Sequence, residues 1–249
     1  MVKVLVNGCM GRMGKEVVKQ ILESSDLVVA CGVDKVSDNS SNFPIYNTPE
    51  NIKETVDIII DFSVPESTMN ILEYAEKQHI PIVIATTGLN EEQTEKVSLS
   101  SKVIPVFKSA NMSYEVNLMA KVVADLAVRL KGTDIEIVET HHRNKVDSPS
   151  GTALILADSI NNALNNEMNY TYDRHPRREV RPCSEIGISS IRGGTEAGKH
   201  SVLFFGENES FEISHSVTSR AVFATGALKA SRFLVDKPNG LYNMNDMIK

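Results

Sequence analysis

Residues 139–153 read Glu-Thr-His-His-Arg-Asn-Lys-Val-Asp-Ser-Pro-Ser-Gly-Thr-Ala, which sets two of the six histidines beside two further cations. An imidazole, with an ordinary pKa of about 6.5, exchanges protons near neutrality, so His141 and His142 are candidates for proton handling. Lys145 can donate a proton or stabilise negative charge as it develops. Pro149-Ser150-Gly151-Thr152 reads as the start of a helix, where unpaired N–H groups bind a carboxylate. With Arg143 adding charge, the block suits an anionic substrate. Taken singly, each residue also fits a solvated basic loop ahead of a capped helix; the density of the whole block after a strand end favours a site. A metal centre is not expected, because adjacent histidines rarely share one ion and no Cys or acidic partner lies at zinc spacing.

A second pattern lies at the other end of the chain. Residues 7–14 read Asn-Gly-Cys-Met-Gly-Arg-Met-Gly, with glycines at Gly8, Gly11 and Gly14. The turn follows one apolar strand-like run and opens a helical one. That is the setting of a dinucleotide fingerprint, although the spacing is G-x-x-G-x-x-G. Glycine permits the tight turn and lets a pyrophosphate approach the backbone, while the helix start supplies N–H groups and positive potential. Asp34 follows Gly14 by 20 residues, where an acid grips the adenosine ribose of NAD. Lys35 beside it can instead attract the 2′-phosphate of NADP, so both NADH and NADPH stay open. Thr86-Thr87-Gly88 and Ala110-Asn111-Met112 fall at later strand ends, where ligands bind in open sheets; alone, each would pass for an ordinary loop cap.

The elements that must position these residues alternate in the first half of the chain. Val2–Asn7, Leu27–Val33, Asp57–Phe62, Pro81–Thr87 and Val103–Phe107 read as buried strands. Helical spacing separates them, as in Arg12–Ser25 with Met13, Val17, Ile21 and Leu22 on one face. Ser63 and Glu66 stand as a capping box before a helix running to His79. Buried strands alternating with helices mean a parallel sheet covered on both faces. The fold class is therefore α/β: an N-terminal Rossmann domain with a doubly wound parallel sheet, then a second α+β domain with a mixed sheet. The second domain begins with a helix at Tyr114–Lys131, then a strand at Asp134–Thr140 and a helix at Ser150–Asn165. Strands at Glu185–Arg192, Ser201–Gly206 and Phe211–Thr218 complete it. The expected boundaries are 1–112 and 221–249 for the first domain and 113–220 for the second. A basic loop, Arg174–Arg181, is given no chemistry, and Arg192, Gly194, Gly198 and His200 are notable only for their density.

Composition narrows the function classes. The 249 residues are 41% hydrophobic and 23% charged, as in globular proteins. A formal net charge of -6, no Trp and no long basic stripe argue against nucleic acid and anionic membrane as partners. Cys9, Cys31 and Cys183 are an odd set without C-x-x-C spacing, so reduced thiols in a cytoplasmic protein are expected. No apolar run approaches membrane-spanning length.

Together the two motifs resemble the dihydrodipicolinate reductase family. Gly8-x-x-Gly11-Arg12-Met13-Gly14 carries the first half of the likeness. Glu139-x-His141-His142-x-x-Lys145-x-Asp147-x-Pro149-Ser150-Gly151-Thr152-Ala153 carries the second, and is long and specific. Asp61-Phe62-Ser63, Ala85-Thr86-Thr87-Gly88, Ser109-Ala110-Asn111-Met112-Ser113, Arg192-x-Gly194-x-x-x-Gly198-x-His200 and Ser219-Arg220-x-x-Phe223-Ala224-x-Gly226-Ala227 extend it along the whole chain. The resemblance implies reduction of a cyclic dicarboxylate by NADH or NADPH with loss of water. The product would be tetrahydrodipicolinate, on the diaminopimelate route to lysine. It also implies a homotetramer assembled through the second domain. By position, His141 and Lys145 would handle protons, and His142, Gly151 and Thr152 would hold substrate carboxylates. Gly8, Cys9, Met10, Gly11, Arg12, Met13, Asp34, Ala85, Thr86, Thr87, Ser109, Ala110, Asn111 and Met112 would hold the cofactor. Ser109 and Met112 depart from the Ala and Phe common in that segment, which bears on cofactor preference and not on the reaction.

Two other classes remain to be separated. A semialdehyde dehydrogenase would need a nucleophilic cysteine, and Cys183 stands in an Arg-rich segment without a supporting motif. An NAD-binding redox sensor without turnover would need a DNA-binding or interaction module, of which the sequence gives no sign.

Overall fold

The computed structural model describes residues 1–36 and 41–248; the C-terminal Lys249 of the expected boundary lies outside the described residues. Its elements follow the alternation of the sequence. In order they are β1 (Val2–Asn7), α1 (Arg12–Leu22), β2 (Leu27–Val33), β3 (Ile45–Tyr46), β4 (Ile58–Asp61), α2 (Pro65–Gln78), β5 (Ile82–Ile84), α3 (Glu91–Ser100) and β6 (Pro105–Lys108). Then come α4 (Tyr114–Arg129), β7 (Asp134–His141), α5 (Gly151–Ala163), β8 (Asn169–Thr171), β9 (Glu185–Arg192), β10 (Gly198–Phe205), β11 (Ser210–Val217), α6 (Ala221–Leu234), β12 (Gly240–Tyr242) and α7 (Met244–Met247). The chain contacts fall into two units, Met1–Ser113 with Ala221–Lys249, and Tyr114–Arg220.

The first unit holds a seven-stranded parallel sheet in the order β12-β6-β5-β4-β1-β2-β3. Its central strands are buried on both faces, which is why they read as continuous apolar runs. Alternate residues nevertheless divide. Val4, Val6, Ile58 and Ile60 pack with Val17 and Ile21 of α1 and Ala227 of α6. Leu5, Ile59, Ile82 and Ile84 pack with Ile71 and Leu72 of α2 and Val97 of α3. The strand order reverses between β1 and β4, so a crevice opens at their carboxyl ends, beside Asn7 and Asp61. The edge strands β3 and β12 are too short to leave a period in the sequence.

One local expectation is corrected. Ser63 does not cap α2: the cap position is Val64, with no side-chain hydrogen bond, and Pro65 opens the helix. The Ser63 hydroxyl donates instead to the buried Asp61 carboxyl. A capping box does occur at Asn90 and Gln93, at the start of α3.

The second unit is a mixed five-stranded sheet ordered β11-β10-β7-β9-β8, with β7 parallel to β9 and antiparallel to β10. Ile135, Ile137, Ile186, Ile188, Val202 and Phe204 face α4 and α5 and form its core. Along β7 the same face continues with Glu139 and His141. The register sets Ser190 and Arg192 of β9 beside them, and His200 and Gly198 continue the stripe on β10. Three apolar stripes therefore turn polar at the same end of the sheet.

Candidate functional site

In the first unit the glycine turn is built from close backbone approach. Gly8 has φ +77, and a Cβ there would meet the Phe62 carbonyl oxygen at 2.5 Å. A Cβ on Gly14 would lie 2.0 Å from the Gly8 carbonyl oxygen, so the turn folds directly onto the first turn of α1. Gly11 occupies the cap position of α1 without a side-chain cap, which leaves the helix start available to a phosphate. The Asp34 carboxylate stands across the turn and accepts the Met10 amide at 2.9 Å.

Two hollows flank this turn and share Phe62 and Ser63. One, of about 450 Å³, takes in Gly8, Met10, Gly11, Asp34 and Lys35. The other, of about 510 Å³, takes in Arg12, Met13, Ala85, Thr86 and Thr87, and also Ser109, Ala110, Asn111 and Met112. Of the expected cofactor residues, Cys9 alone lines neither hollow. Its side chain is buried against Gly32, and its thiol is pushed up to about 12, first by burial and then by the Asp34 charge. Cys31 is likewise raised to about 12 by burial, so neither is a ready thiolate nucleophile. The two-hollow form, with an acid at one end and strand-end loops at the other, fits a dinucleotide.

Beneath the turn lies a feature whose role the sequence did not reveal. Asp61 is fully buried and accepts from Asn7 Nδ2 at 2.8 Å, Thr68 Oγ1 at 2.6 Å, Thr86 Oγ1 at 2.9 Å and Ser63 Oγ. The Ser63 amide in turn donates to Thr86 Oγ1. One carboxyl thus ties the ends of β1, β4 and β5 to α2. Burial pushes its pKa up against these hydrogen bonds, since every donor is neutral.

In the second unit the block 139–153 folds around another buried carboxylate. Glu139 receives both terminal guanidinium nitrogens of Arg192 at 2.7 Å, the Ser150 amide at 3.0 Å, and His141 Nδ1 at 2.6 Å. Burial alone raises this carboxyl, but the hydrogen bonds, led by Arg192 and His141, outweigh it and hold the group at about 2. His141 is 8% exposed, and Gly198 faces its Nε2, where a Cβ would approach to 3.0 Å.

Ser150 caps α5, its hydroxyl accepting the Ala153 amide at 3.1 Å, and the same oxygen lies 2.7 Å from His200 Nε2. His200 packs edge-on against His141 with ring centroids 5.1 Å apart, and burial followed by the His141 charge lowers it to about 4. Lys145 Nζ is held by both Asp147 oxygens at 2.8 and 2.9 Å. Gly151 and Thr152 form the first turn of α5. His142 is half-buried, with Nδ1 enclosed and lacking a hydrogen-bond partner among the described residues.

The structure therefore gathers His141, Ser150 and the α5 start around Glu139, with Lys145 and His142 on the adjoining loop. Sequence reasoning passed over Arg192 as the partner of Glu139 and His200 as the partner of Ser150; period-2 reading of β9 and β10 toward the helix face would have found both. The basic loop has a structural task. Arg174 and Arg177 pair with Glu185, while Arg181 binds Asp134 and the Ile135 and Glu185 carbonyls. No group of three or more metal-ligating side chains occurs among the described residues, and none of their helices is long and apolar enough to cross a membrane.

Comparison with known proteins covers both units. The family model described as dihydrodipicolinate reductase, N-terminus, matches residues 2–112, and that described as dihydrodipicolinate reductase, C-terminus, matches residues 115–248. A 4-hydroxy-tetrahydrodipicolinate reductase of Caldanaerobacter subterraneus subsp. tengcongensis is 47% identical over 249 residues, covering 100% of this chain and 99% of the relative. One of Clostridium novyi is 40% identical over 250 residues with the same coverage. In fold, the chain is similar to a dipicolinate-bound dihydrodipicolinate reductase from Paenisporosarcina sp. TG-14, with a TM-score of 0.82, 24% identity, and 98% and 99% of the two chains covered. A probable dehydrogenase from Thermotoga maritima shares the architecture more distantly, at a TM-score of 0.63 and 11% identity over 98% and 92% of the chains.

Proposed function

The chain belongs to the dihydrodipicolinate reductase family and is an NAD(P)H-dependent oxidoreductase, and from that premise we propose how its residues divide the work. The reaction is that of its relatives, the reduction of 4-hydroxy-tetrahydrodipicolinate with loss of water. The observation that carries the division is the buried Glu139–His141–Arg192 arrangement beside the start of α5.

The cofactor-binding residues are those of the two hollows. Gly8, Gly11, Arg12 and Met13 take the pyrophosphate, and Asp34 takes the ribose of NADH. Lys35 accommodates the extra phosphate of NADPH. Ala85, Thr86, Thr87 and the segment Ser109–Met112 frame the far end, and Cys9 contributes backbone alone. When bound, the reduced nicotinamide supplies a hydride.

The substrate is a dicarboxylate, and its carboxylates are held by the first turn of α5 at Gly151 and Thr152 and by His142. A helix start favours an anion there, because its N–H groups and dipole carry positive potential. Lys145 and His141 handle protons. Lys145 rests against Asp147, which holds it within the loop that bears it. His141 turns Nε2 toward Gly198, which carries no side chain to press on it.

The assembly proposed is a homotetramer in the cytoplasm. The sheet face of the second unit away from α4 and α5 supports self-association: Ile191 and Phe205 on it are 50% and 41% exposed. Exposed apolar side chains on a sheet face favour burial against another copy.

A coupled assay tests the reading. Substrate made freshly from aspartate semialdehyde and pyruvate by the preceding synthase is mixed with this protein and NADH or NADPH, and absorbance at 340 nm is followed. Rapid oxidation is expected. Cofactor binding without oxidation would point instead to the sensor reading.

A further inference from the structure

We propose that Glu139 is a positioning residue for the reduction, fixing His141 with its proton on Nδ1 so that Nε2 is the ring nitrogen offered to the substrate. This rests on the substrate-site reading above. The argument begins with what an ionised carboxylate can do. It accepts hydrogen bonds and donates none. Glu139 is kept ionised by the two-pronged contact from Arg192 and by the Ser150 amide. The atom 2.6 Å from its Oε2 is His141 Nδ1, which must therefore carry the proton. In the neutral ring the lone pair then sits on Nε2.

The surroundings keep Nε2 usable. Gly198 lacks the Cβ that would press on it at 3.0 Å. Glu139 also stabilises the imidazolium once Nε2 has taken up a proton, as a carboxylate behind a catalytic histidine does in general. Arg192 and the Ser150 amide hold Glu139 from the other side, and His200 holds the Ser150 hydroxyl. The same serine thus links the start of α5, where a substrate carboxylate docks, to the group that orients His141. The titratable and charged groups around His141 are Glu139 on its own strand, Arg192 on β9, His200 on β10, His215 on β11, and Lys145 with Asp147 on the following loop. Glu139 alone of these hydrogen-bonds the ring.

Glutamine is the informative substitution. Arg192 and the Ser150 amide donate to one oxygen of Glu139, and Arg192 and His141 converge on the other. The amide nitrogen of Gln would confront a donor in either orientation. Glu139→Gln should lower kcat by roughly 10- to 100-fold, leave KM for NADH within about twofold, and move the pH limb that reports His141 downward. Glu139→Asp, which keeps the charge, should recover part of the loss. Nitrogen NMR of the imidazole gives a readout independent of turnover. The unsubstituted protein near neutrality should show His141 with hydrogen on Nδ1, and Glu139→Gln should mix the two tautomers.

A ring protonated on Nε2 in the unsubstituted protein overturns the proposal, even if the Gln variant fails to fold. So does a folded Glu139→Gln protein with unchanged kcat and pH profile. If the protein binds cofactor but reduces nothing, the reductase reading falls, while the tautomer still decides whether Glu139 orients His141.

Discussion

Two buried carboxylates, Asp61 at the end of β4 and Glu139 near the end of β7, are shifted in opposite directions by their surroundings. Each is fully buried and satisfied by hydrogen bonds. Asp61 has only neutral partners, two hydroxyls of threonine, one of serine and an asparagine amide, and burial drives it toward the protonated form. Glu139 has a guanidinium and an imidazole, and stays charged down to about pH 2. Burial is common to both, so the donors decide the charge. A hub held by neutral donors suits a scaffold that holds loops in place, whereas a carboxylate paired with a guanidinium suits a site that must stabilise a developing cation. On the proposed division of roles, the first unit binds mainly with backbone and shape, and the second acts through charged side chains.

That contrast predicts unequal consequences for substitutions in the two units. The largest effect belongs to the charged site. Lys145→Ala should cut kcat by roughly 10²- to 10⁴-fold, the range for a lost general acid, while calorimetry finds NADH affinity within about twofold. Unchanged turnover would remove Lys145 from the proton pair. Next comes a backbone defect in the binding unit. Gly14→Ala drives a Cβ to 2.0 Å from the Gly8 carbonyl, and overpacking of this kind costs about 1–3 kcal/mol. NADH affinity should fall by up to roughly 100-fold. Gly11→Ala, whose Cβ would stand 3.2 Å from the same oxygen, should lose less than about tenfold, so equal losses would show that the close approach is not what matters. Smaller again is Asp34→Ala. The loss of a charged acceptor, about 1.5–3 kcal/mol at most, should weaken NADH by roughly tenfold and NADPH by less. The reverse order in a titration would mean that Asp34 does not hold the ribose.

The same contrast explains what the sequence made legible. Continuous apolar runs such as Ile58–Ile60 announced a doubly covered parallel sheet, because burial on both faces leaves no polar alternation. The glycine turn was visible because most of its demands are local: Gly11 and Gly14 both answer the Gly8 carbonyl, although Gly8 itself answers Phe62 across the sheet. The block 139–153 was visible because one segment carries most of its chemistry. Arg192 and His200 escaped as partners because they reach Glu139 and Ser150 across the sheet from 53 and 50 residues away. Ser63 misled for a related reason. Its spacing from Glu66 satisfied a local rule, but the tertiary fold set its hydroxyl against Asp61 instead. Edge strands β3, β8 and β12, of two or three residues each, exist through pairing rather than through any pattern of their own.

The gentlest test bears on Asp61 itself. With a folded pKa raised above its unfolded value of about 3.9, Asp61 binds its proton more tightly in the folded state. The resulting stabilisation is fully present below the unfolded value and is lost as pH rises through the folded one. Asp61→Asn keeps a neutral group of the same shape. The serine and threonine hydroxyls can rotate to meet its amide, although one acceptor site becomes a donor. Stability should therefore change by only about 1 kcal/mol at neutral pH, and the decline in stability with rising pH that Asp61 contributes should disappear. Urea unfolding of both proteins across that range measures it directly. A large loss at neutral pH, comparable to that from removing a paired charge at about 3–5 kcal/mol, would mean that Asp61 is held ionised despite its neutral partners. The two buried carboxylates would then be one device used twice, and the division between scaffold and reactive charge would not hold.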